Sequence, residues 1–462
     1  MQVRTALAIG AGKAAGFLSR RLGRGGGTTL PGEIALRIDP RLLARVSARL
    51  GQGCVVVTGT NGKTTTSRMI ASILRRAELQ PVHNRSGANL IEGVTSALLS
   101  SSTLLGVPGG DIGLFEVDEA TLPQAVAQTR PRAVVVTNLF RDQLDRYGEI
   151  DHVASLWQGA LASLPPSSTA ILNADDPAVA HLGQGLEARV LYYGIDDARW
   201  GSAGLQQAAD SQHCLACGAR YHYRVAYYGH LGDYRCPHCG RARPQPHVAA
   251  RAIELQGLAG SQVEAALPAG ALRMRLGLPG LYNVYNTLAA LACCTALGIA
   301  PEALQAGIES FSAAFGRIER VEVEGRQVFV ALVKNPIGFT QVLHTLLLDQ
   351  APKHLLIAIN DNLADGTDVS WLWDVDFELL QGRVQSVVVT GTRAEDMQLR
   401  LHYALVDMAR VSLEKDLDGA LARGLANAGP GGTLYILPTY TAMLAMRQVM
   451  QERGYVGRFW ED

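Results

Sequence analysis

The most informative residues of the chain form one segment with the residue types and spacing of a phosphate-binding loop. Residues 58–66 have the sequence TGTNGKTTT, between an apolar β-branched run and a helical pattern, although Val57 stands where the first glycine of the general pattern is expected. Backbone N–H groups at a helix N-terminus bind phosphate, Lys63 adds a cation, and the Thr64 hydroxyl is a ligand for Mg²⁺. The segment therefore predicts binding of ATP or a close relative. The predicted nucleotide contacts are Thr60, Asn61, Gly62, Lys63, Thr64 and Thr65.

A second polar segment follows the apolar run that begins at Ile112. Residues 116–119 have the sequence EVDE. Ligands of α/β sheets bind beyond the carboxyl ends of the strands, and phosphoryl transfer uses metal ions that carboxylates hold. A carboxylate of this segment is therefore a candidate ligand for a second Mg²⁺ ion.

Four cysteines form two pairs with the spacing of a zinc ribbon. The pairs are Cys214 with Cys217 and Cys236 with Cys239, separated by 18 residues. Four thiolates make a closed tetrahedral site, so the predicted zinc is structural. Paired disulfides and a redox couple are the less favoured alternatives. Arginines and tyrosines interleave with the pairs, so nucleic-acid binding by this region also stays open.

Length and composition limit the number of domains, the class of partner and the expected cellular location of the protein. The 462 residues suffice for two or three domains, and 42 basic residues balance 42 acidic ones. This balance gives no global electrostatic reason to expect nucleic acid as a partner. No apolar run reaches the ~20 residues of a membrane span. Residues 1–22 predict an amphipathic helix and not a signal peptide, so we expect a cytoplasmic protein.

Strand-like and helical patterns alternate from residue 51 onward, which predicts an α/β protein. Residues 51–320 are expected to form a first domain, with a parallel sheet covered on both faces and a small insert at about 205–245. The alternation of strand-like and helical patterns begins again after residues 315–317. It predicts a second α/β domain over residues 321–462. Residues 1–50 are assigned to a helix and a linker, and the glycine-rich residues 23–32 are predicted to be a flexible segment. The predicted strands are 55–58, 112–117, 133–137, 169–172 and 190–193 in the first domain, and 328–333, 355–359, 387–390 and 433–437 in the second.

Four further segments match the pattern of one enzyme family. Residues 134–148, 172–177, 280–286 and 315–319 follow the phosphate loop with the sequences VVVTNLFRDQLDRYG, LNADDP, GLYNVYN and FGRIE. In this order and at these intervals the chain resembles the Mur ligase superfamily, which includes folylpolyglutamate synthase, over nearly all of its length from residue 50. Members of this superfamily activate a carboxylate with ATP as an acyl phosphate, which an amine then attacks to form an amide.

The resemblance implies a fold and roles for individual residues. The implied fold is a Mur ligase-type central P-loop ATPase domain with an inserted four-cysteine zinc ribbon, followed by a C-terminal α/β domain. Glu116 would act at the catalytic centre as a Mg²⁺ ligand beside the phosphate loop. Asn283 would contact the nucleotide base, and Arg317 would lie near the phosphates at the domain junction. The segment around Asn89 resembles a loop that contacts substrate, and a simple turn is the alternative for that residue.

Departures from the Mur pattern point to one branch of the superfamily. Gln143 replaces an expected histidine, and residues 333–336 (VKNP) replace the usual tyrosine-alanine-histidine motif. The four-cysteine insert and residues 359–374 resemble the MurT family, the ligase subunits of lipid II isoglutaminyl synthase. This likeness implies ATP-dependent amidation of the D-glutamate α-carboxylate in the lipid II stem peptide to D-isoglutamine, at the inner face of the membrane. The ammonia would come from a GatD-like glutamine amidotransferase partner in a heterodimer.

An acidic loop at residues 361–376 carries the predicted contact with that partner. In the MurT family an aspartate of this segment completes the partner's Cys-His pair into a triad, in which a carboxylate orients the imidazole. Asp368 is the first choice for this catalytic aspartate, and Asp365 is the second. Trp371 and Trp373 beside them suit a binding surface. The alternative is a solvated turn whose tryptophans pack on their own domain.

Three other function classes remain open on the residues alone. A peptide-adding or folylpolyglutamate-type ligase would release phosphate in response to an amino acid, without a partner. A nucleotide-gated binding protein would bind ATP without turnover. A nucleic-acid-binding ATPase would bind DNA or RNA with a strong dependence on salt.

Overall fold

Two β-sheets and a small hairpin form the framework of the protein. The structure is a computed structural model that describes residues 3–21, 29–84, 88–141, 150–203, 210–311 and 319–457. The first sheet takes its strands from residues 54–276, and the second takes its strands from residues 319–438. The predicted α/β class with a second sheet is confirmed, and the exact domain boundaries stay a prediction.

The first sheet has nine strands among the described residues, and its central part is parallel. Its strands are β1 (Cys54–Thr58), β2 (Pro81–His83), β3 (Ile112–Glu116), β4 (Ala133–Val136), β5 (Thr169–Asn173), β6 (Arg189–Ile195), β9 (Val248–Leu255), β10 (Ser261–Leu267) and β11 (Gly270–Leu276). They lie in the order β11-β10-β9-β6-β5-β4-β1-β3-β2. All five predicted strands of this region are confirmed. Four of them, β1, β3, β4 and β5, are short runs buried at every residue, as is usual in parallel sheets, whereas β6 is partly exposed over its first half.

The expectation of a purely parallel sheet is wrong at one edge. β9 pairs with β6 in parallel, but β9, β10 and β11 pair with one another in antiparallel fashion. These three strands alternate buried residues with exposed ones. Their sequences therefore mix charged and apolar residues and lack the continuous apolar run of the central strands. Antiparallel neighbours also need only short turns, so no helix separates them.

Helices cover both faces of the first sheet. Met69 and Ile308 belong to the core between helices and sheet on one face. Leu98 and Trp157 belong to the corresponding core on the other face. The helices of this part are α1 (Val3–Arg21), α2 (Leu30–Ile38), α3 (Leu42–Ser47), α4 (Lys63–Arg76), α5 (Ile91–Ser101), α6 (Leu122–Thr129), α7 (Ile150–Ala162), α8 (Pro177–His181), α9 (Leu281–Ala296) and α10 (Pro301–Glu309). This double covering agrees with the prediction.

The first two helices correct the expectations for residues 1–50. The helix predicted within residues 1–22 forms as α1, but its outer face is apolar while Thr5 and Gly12 are buried. Pro31 and Gly32, predicted as flexible, lie in the first turn of α2, where proline is tolerated. A Cβ at Gly32 would lie 1.9 Å from the Glu92 carbonyl oxygen. Glycine is therefore used here for close packing of α2 on α5.

The second sheet has six strands among the described residues. Its strands are β12 (Glu319–Val323), β13 (Arg326–Val330), β14 (Lys353–Ala358), β15 (Val384–Thr390), β16 (Val411–Leu413) and β17 (Thr433–Pro438), in the order β12-β13-β17-β14-β15-β16. Only β12 and β13 pair in antiparallel fashion. The helices are α11 (Pro336–Leu346), α12 (Ala394–Tyr403), α13 (Leu417–Ala428) and α14 (Tyr440–Glu452). All four predicted strands overlap observed ones.

The predicted insert contains a two-stranded antiparallel hairpin. Its strands are β7 (His222–Tyr228) and β8 (Leu231–Arg235). Tyr221, Tyr223 and Tyr234 pack around its base with ring centroids 5.0, 5.8 and 6.5 Å apart. This small aromatic core lies beside the buried Cys214 and Cys236. The first residues assigned to the insert, 205–209, lie outside the described part of the chain.

Candidate active site

The phosphate loop lies between β1 and α4, at the carboxyl edge of the first sheet. Gly62 has φ +84°, and a Cβ there would lie 2.0 Å from Asn286 Oδ1, so the position requires glycine. Asn138, after β4, holds the loop in place. Its Oδ1 accepts a hydrogen bond from Asn61 N at 2.8 Å, and its carbonyl oxygen accepts one from Thr60 N at 2.9 Å. The loop thus opens a helix N-terminus, the local structure that binds phosphate.

The predicted nucleotide contacts divide into two groups. Those that line the main cleft are Asn61, Gly62, Thr64 and Thr65. Thr60 instead is buried, and its Oγ1 accepts a hydrogen bond from Phe140 N at 3.0 Å. Thr60 therefore fixes the loop to the residues that follow β4.

Lys63 lies beneath the loop in an ion pair that sequence reasoning missed. Its Nζ is 3.0 Å from Glu119 Oε1, and both side chains are buried. Burial acts to lower the pKa of Lys63, but the carboxylates of Glu119, Glu116 and Asp118 outweigh this effect, so the pKa is raised. Lys63 is therefore a fixed cation at the base of the loop. The acidic sequence EVDE was the only signal for its partner.

The two predicted magnesium ligands lie next to each other. Thr64 Oγ1 donates a hydrogen bond to Glu116 Oε1 at 2.9 Å. Asn84 fixes the end of β3, because its Nδ2 donates to the Glu116 carbonyl oxygen at 2.7 Å and its Oδ1 accepts from Glu116 N at 2.9 Å. A hydroxyl and a carboxylate side by side are the hard oxygen donors that Mg²⁺ prefers. The pair fits this ion.

An open cleft extends from the phosphate loop to the first turns of α9 and α11. Its empty space, with the open solvent at its mouth included, is about 1020 Å³, and both apolar and polar side chains line it. Asn283 lines this cleft, but its polar atoms already form hydrogen bonds. Its Nδ2 donates to the Pro279 carbonyl oxygen at 2.7 Å, and its Oδ1 accepts from Asn286 Nδ2 at 3.1 Å. Its contact with a nucleotide base stays a prediction.

The second domain closes one side of this cleft through two residues that were noticed only as a departure from the Mur pattern. Lys334 Nζ lies 3.3 Å from the Thr60 carbonyl oxygen. Asn335 Nδ2 donates to Asn61 Oδ1 at 2.9 Å. The Asn335 side chain also accepts from Gly338 N at 2.8 Å and so caps α11. The segment VKNP therefore contacts the phosphate loop directly.

Asn89 lies at the same sheet edge as the acidic segment. Its carbonyl oxygen accepts a hydrogen bond from Asp118 N at 2.9 Å. This contact places the loop before α5 beside the candidate metal ligands, and the role of the Asn89 side chain stays a prediction. Gln143 and Arg317 lie outside the described residues, as do residues 85–87.

The paired cysteines come together as a candidate metal centre. The Sγ atoms of Cys214 and Cys239 are 3.6 Å apart, those of Cys217 and Cys236 are 3.4 Å apart, and all four lie within 4.8 Å of one another. Tetrahedral zinc with Zn–S bonds of about 2.3 Å requires sulfur–sulfur distances of about 3.8 Å. A disulfide requires about 2.0 Å, so the disulfide alternative is wrong and the donor set fits zinc.

Backbone amides and turns shape this cluster. Gly218 and Gly240, which follow the two pairs, have φ of +73° and +76°. These left-handed conformations turn the chain tightly around each pair. Burial acts to raise the pKa of Cys214, but hydrogen bonds from the Ala216 N–H and the Tyr221 hydroxyl lower it to about 6. A thiol with a low pKa is readily available as the thiolate that a metal binds.

The ribbon is attached to the first sheet through buried carboxylates that follow β5. Arg243 Nε donates to Asp175 Oδ1 at 2.5 Å, and Asp175 Oδ2 accepts from the Tyr285 hydroxyl of α9 at 2.7 Å. Asp176 Oδ2 lies 3.3 Å from Nε2 of His230 in the turn between β7 and β8. The sequence NADDP therefore joins the ribbon, the sheet and α9.

The two candidate aspartates of the acidic loop have different environments. Asp365 is buried, and its carboxylate accepts hydrogen bonds from Thr441 N and Oγ1 at the start of α14. Asp368 is exposed and accepts from Ser370 N at 2.8 Å, a bond that lowers its pKa. Trp373 beside it is half exposed, while Trp371 packs near Phe339. The loop therefore presents Asp368 at the surface and uses Asp365 internally.

Comparison with known proteins identifies the class. Residues 57–232 match the Mur ligase middle domain. The solved pseudomurein peptide ligase type C from Methanothermus fervidus superposes with TM-score 0.68 at 20% identity, covering 88% of this chain and 80% of that protein. The folylpolyglutamate synthase from Mycobacterium tuberculosis superposes with TM-score 0.62 at 16% identity, covering 95% and 99%. These identities show the fold alone. The fold, the domain match and the site together define an ATP-dependent ligase of the Mur type.

More similar relatives define the branch. Residues 332–443 match the MurT ligase C-terminal domain. The MurT subunit of lipid II isoglutaminyl synthase (glutamine-hydrolyzing) from Staphylococcus aureus (strain COL) is 32% identical over 453 residues, which cover 97% of this chain and 98% of that subunit. Its counterpart from Streptococcus pneumoniae (strain ATCC BAA-255 / R6) is 32% identical over 457 residues and 99% of both chains. The chain belongs to the MurT family, as the sequence predicted.

Proposed function

We propose that the chain amidates the α-carboxylate of D-glutamate in the stem peptide of lipid II. A carboxylate oxygen attacks the γ-phosphorus of ATP, ADP leaves, and an acyl phosphate forms. Ammonia then attacks the acyl carbon, phosphate leaves, and loss of a proton from nitrogen gives the amide of D-isoglutamine. Support for the substrate comes from the names of the MurT relatives. The observation that carries the chemistry is the placement of Lys63, Thr64 and Glu116 together beside one cleft.

The roles that we assign follow from charge and position. Lys63 offsets negative charge on the transferring phosphoryl group, and Glu119 keeps this lysine protonated and in place. Thr64 and Glu116 would hold Mg²⁺, which supplies Lewis-acid chemistry when bound. We assign Asn283 to the nucleotide base because it lines the same cleft as the phosphate loop.

Two further roles rest on the family likeness. Arg317 is proposed to contact the phosphates, and Asn89 is proposed to contact the substrate. Asn89 suits this role because its loop touches the acidic segment that contains Glu116. We also propose that the chain acts at the inner face of the membrane, where a lipid-linked precursor would be reached.

The nitrogen is proposed to come from a second polypeptide, since the cysteines of this chain do not suit glutamine hydrolysis. All seven lie in the described residues: four form the metal cluster, Cys54 lies in β1, and two lie in α9. Burial raises the pKa of Cys54 to about 12, which suppresses the reactive thiolate. We therefore infer a GatD-like glutaminase partner in a heterodimer.

Asp368 is the residue that we assign to the contact with this partner. Its carboxylate is exposed and ionised, and it lines a shallow pocket with Trp373 and Arg393. An exposed aspartate beside a half-exposed tryptophan can orient a histidine of a docked protein. Asp365 lacks this freedom because Thr441 occupies its carboxylate.

Mass spectrometry of lipid II tests the proposed reaction. The chain is incubated with lipid II, ATP, Mg²⁺ and ammonium chloride, with Lys63→Ala as the inactive control. We expect ADP release and the mass change that replaces one hydroxyl by one amino group at the glutamate. An unchanged glutamate with folded protein, or the addition of an amino acid in place of ammonia, would contradict the proposal.

A further inference from the structure

The exposed face of α1 carries large apolar side chains. Val3, Leu7, Phe17 and Leu18 are between 53% and 76% exposed. Their spacing places them along one side of the helix. The opposite side packs against α2 and α5 with Thr5, Ala8 and other small residues. A helix on the surface of a soluble domain normally directs polar residues outward, so this outer face suits an apolar neighbour.

A loop beside α1 extends this surface. Its exposed apolar residues are Leu104, Leu105 and Val107, between 52% and 65% exposed. A Cβ at Gly106 would lie 3.4 Å from Ile9 Cδ1 of α1. Arg49 Nη1 donates to the Leu105 carbonyl oxygen at 2.7 Å. We call the exposed apolar residues of α1 and of this loop the apolar patch; its members are Val3, Leu7, Phe17, Leu18, Leu104, Leu105 and Val107.

The region around the apolar patch is strongly basic. Residues 1–50 contain nine Lys and Arg against two Asp and Glu, a net charge of +7, whereas the whole chain is neutral. The two acidic residues are already paired, since Glu33 lies 2.7 Å from Arg37 and Asp39 lies 2.6 Å from Arg45. Every charged residue of α1 is a cation. At the end of the helix, the Arg21 guanidinium lies over Phe17.

We propose that α1 and the loop at 104–107 form a peripheral membrane-binding surface for an anionic bilayer. A helix with a basic rim and exposed Leu and Phe lies in the plane of a membrane interface, where its apolar side chains enter the acyl boundary. Basic residues near such a surface gain from its negative potential. None of the described helices, α1 included, is long and apolar enough to cross a membrane. The attachment is therefore interfacial.

Other occupants fit the patch less well. A second copy of this chain would bring two regions rich in arginine together, and like charges across an interface oppose association. Nucleic acid would satisfy the cations but would leave the leucines and Phe17 in contact with a polar backbone. A surface of anionic headgroups over acyl chains satisfies both features.

The direction of α1 links the patch to the active-site edge. Thr5 of α1 hydrogen-bonds to Asp39 beyond the end of α2, and Gly12 contacts Pro31 at its start, so the two helices run antiparallel. The last turns of α1, with Phe17 and Leu18, therefore extend past the start of α2. That start packs on the first turn of α5, which follows the Asn89 loop. The inference concerns membrane attachment and holds whatever the reaction is.

Vesicle co-sedimentation of the full chain tests the proposal. Vesicles of phosphatidylcholine alone are compared with vesicles that also contain phosphatidylglycerol, at low and high salt. We expect binding to the anionic vesicles at low salt, and weakening by about fivefold for each cation removed in Arg4→Gln and Arg21→Gln. The double variant Leu7→Glu, Phe17→Glu should lose binding by more than about tenfold.

The matched control is Leu399→Glu with Leu405→Glu, which adds the same charge at exposed leucines of the second domain. This control should bind vesicles as the unchanged chain does, and circular dichroism confirms that each variant is folded. The proposal is overturned if the unchanged chain ignores anionic vesicles at low salt, or if both double variants lose binding equally. It is also overturned if the chain forms a dimer that only the α1 variant disrupts.

Discussion

Lys63 and Glu119 show how the site combines a fixed charge with burial. The pair is enclosed, and the neighbouring carboxylates raise the lysine pKa despite its burial. A buried charge without its partner is costly, and removing one member of such a pair destabilises a protein by about 3–5 kcal/mol. The position therefore serves both stability and phosphate binding.

Substitutions at this pair should separate the two roles. Lys63→Met leaves Glu119 buried and unpaired, so we expect a loss of about 3 kcal/mol in the free energy of unfolding and no turnover. The double variant Lys63→Met, Glu119→Gln removes both charges and should recover most of that stability without recovering activity. Urea denaturation and ADP release measure the two outcomes. Equal stability of the single and double variants would contradict the ion pair.

The two aspartates of the acidic loop give a second prediction at this scale. Asp368→Asn should leave ammonia-driven amidation intact and reduce glutamine-driven amidation by the partner complex, because a neutral amide stabilises an imidazolium poorly. Asp365→Asn should lower stability by about 1–3 kcal/mol, because it alters the buried contacts with Thr441. Assays with ammonia and with glutamine compare the variants. A selective glutamine defect in Asp365→Asn alone would reverse the assignment.

Sequence reasoning identified residues whose roles are local and missed those that act across the chain. Gly62 and Lys63 belong to a contiguous pattern, and the strand and helix around them follow from neighbouring residues. Glu119 is 56 residues from Lys63, and Asn335 is 274 residues from Asn61. No spacing rule connects such pairs, because only the folded sheets bring them together.

Among the hydrophobic clusters of the described residues, the one inside the four-cysteine ribbon is the smallest. Its hairpin has two strands, and an isolated two-stranded hairpin is marginal in water. This cluster contains three tyrosines, two alanines and two of the four cysteines. Metal binding by such a small element contributes directly to its folding.

Loss of the metal should therefore unfold the ribbon. Cys236→Ser should remove zinc and lower the melting temperature, since one buried ligand of the four is lost. The matched control is Cys293→Ser, a buried cysteine of α9 outside the cluster, which should keep its zinc even where it costs stability. Metal analysis of both purified variants decides between them. A full zinc content in Cys236→Ser would refute the ligand assignment.

The antiparallel edge shows the limit of sequence patterns at the scale of elements. In β10 and β11, buried residues alternate with charged residues that reach solvent. Two of these charged residues, Glu264 and Arg273, form an ion pair across the strands, with Oε2 and Nη2 2.9 Å apart. Short half-exposed strands of this kind resemble polar loops in a single sequence. The central strands were predictable because burial on both faces makes them uniformly apolar.

At the scale of the whole molecule, the second domain touches the phosphate loop through one short segment. Asn335 donates to Asn61 and also caps α11, while Lys334 approaches the Thr60 carbonyl oxygen. Domain contacts of this kind commonly close over a ligand during turnover. Residues that line the cleft come from both domains.

Two substitutions of Asn335 should separate closure from helix capping. Asn335→Asp keeps an oxygen that caps α11 but loses the donor to Asn61, so we expect normal stability and a KM for ATP raised about fivefold, the equivalent of one hydrogen bond. Asn335→Ala loses both contacts and should also lower stability by about 1 kcal/mol. Steady-state kinetics and thermal unfolding compare the two. An unchanged KM in both variants would remove this contact from the catalytic cycle.

The attachment of the ribbon has a consequence for how the protein responds to its surroundings. Arg243 of the ribbon holds Asp175, Asp175 holds Tyr285 of α9, and the next residue of α9, Asn286, leaves no room for a side chain at Gly62. Loss of zinc would loosen the contact between Arg243 and Asp175. The change would reach the phosphate loop through Tyr285 and Asn286 of α9. The supply of zinc to the cell would then influence the activity of the ligase through the folding of the ribbon, without a separate zinc-sensing protein.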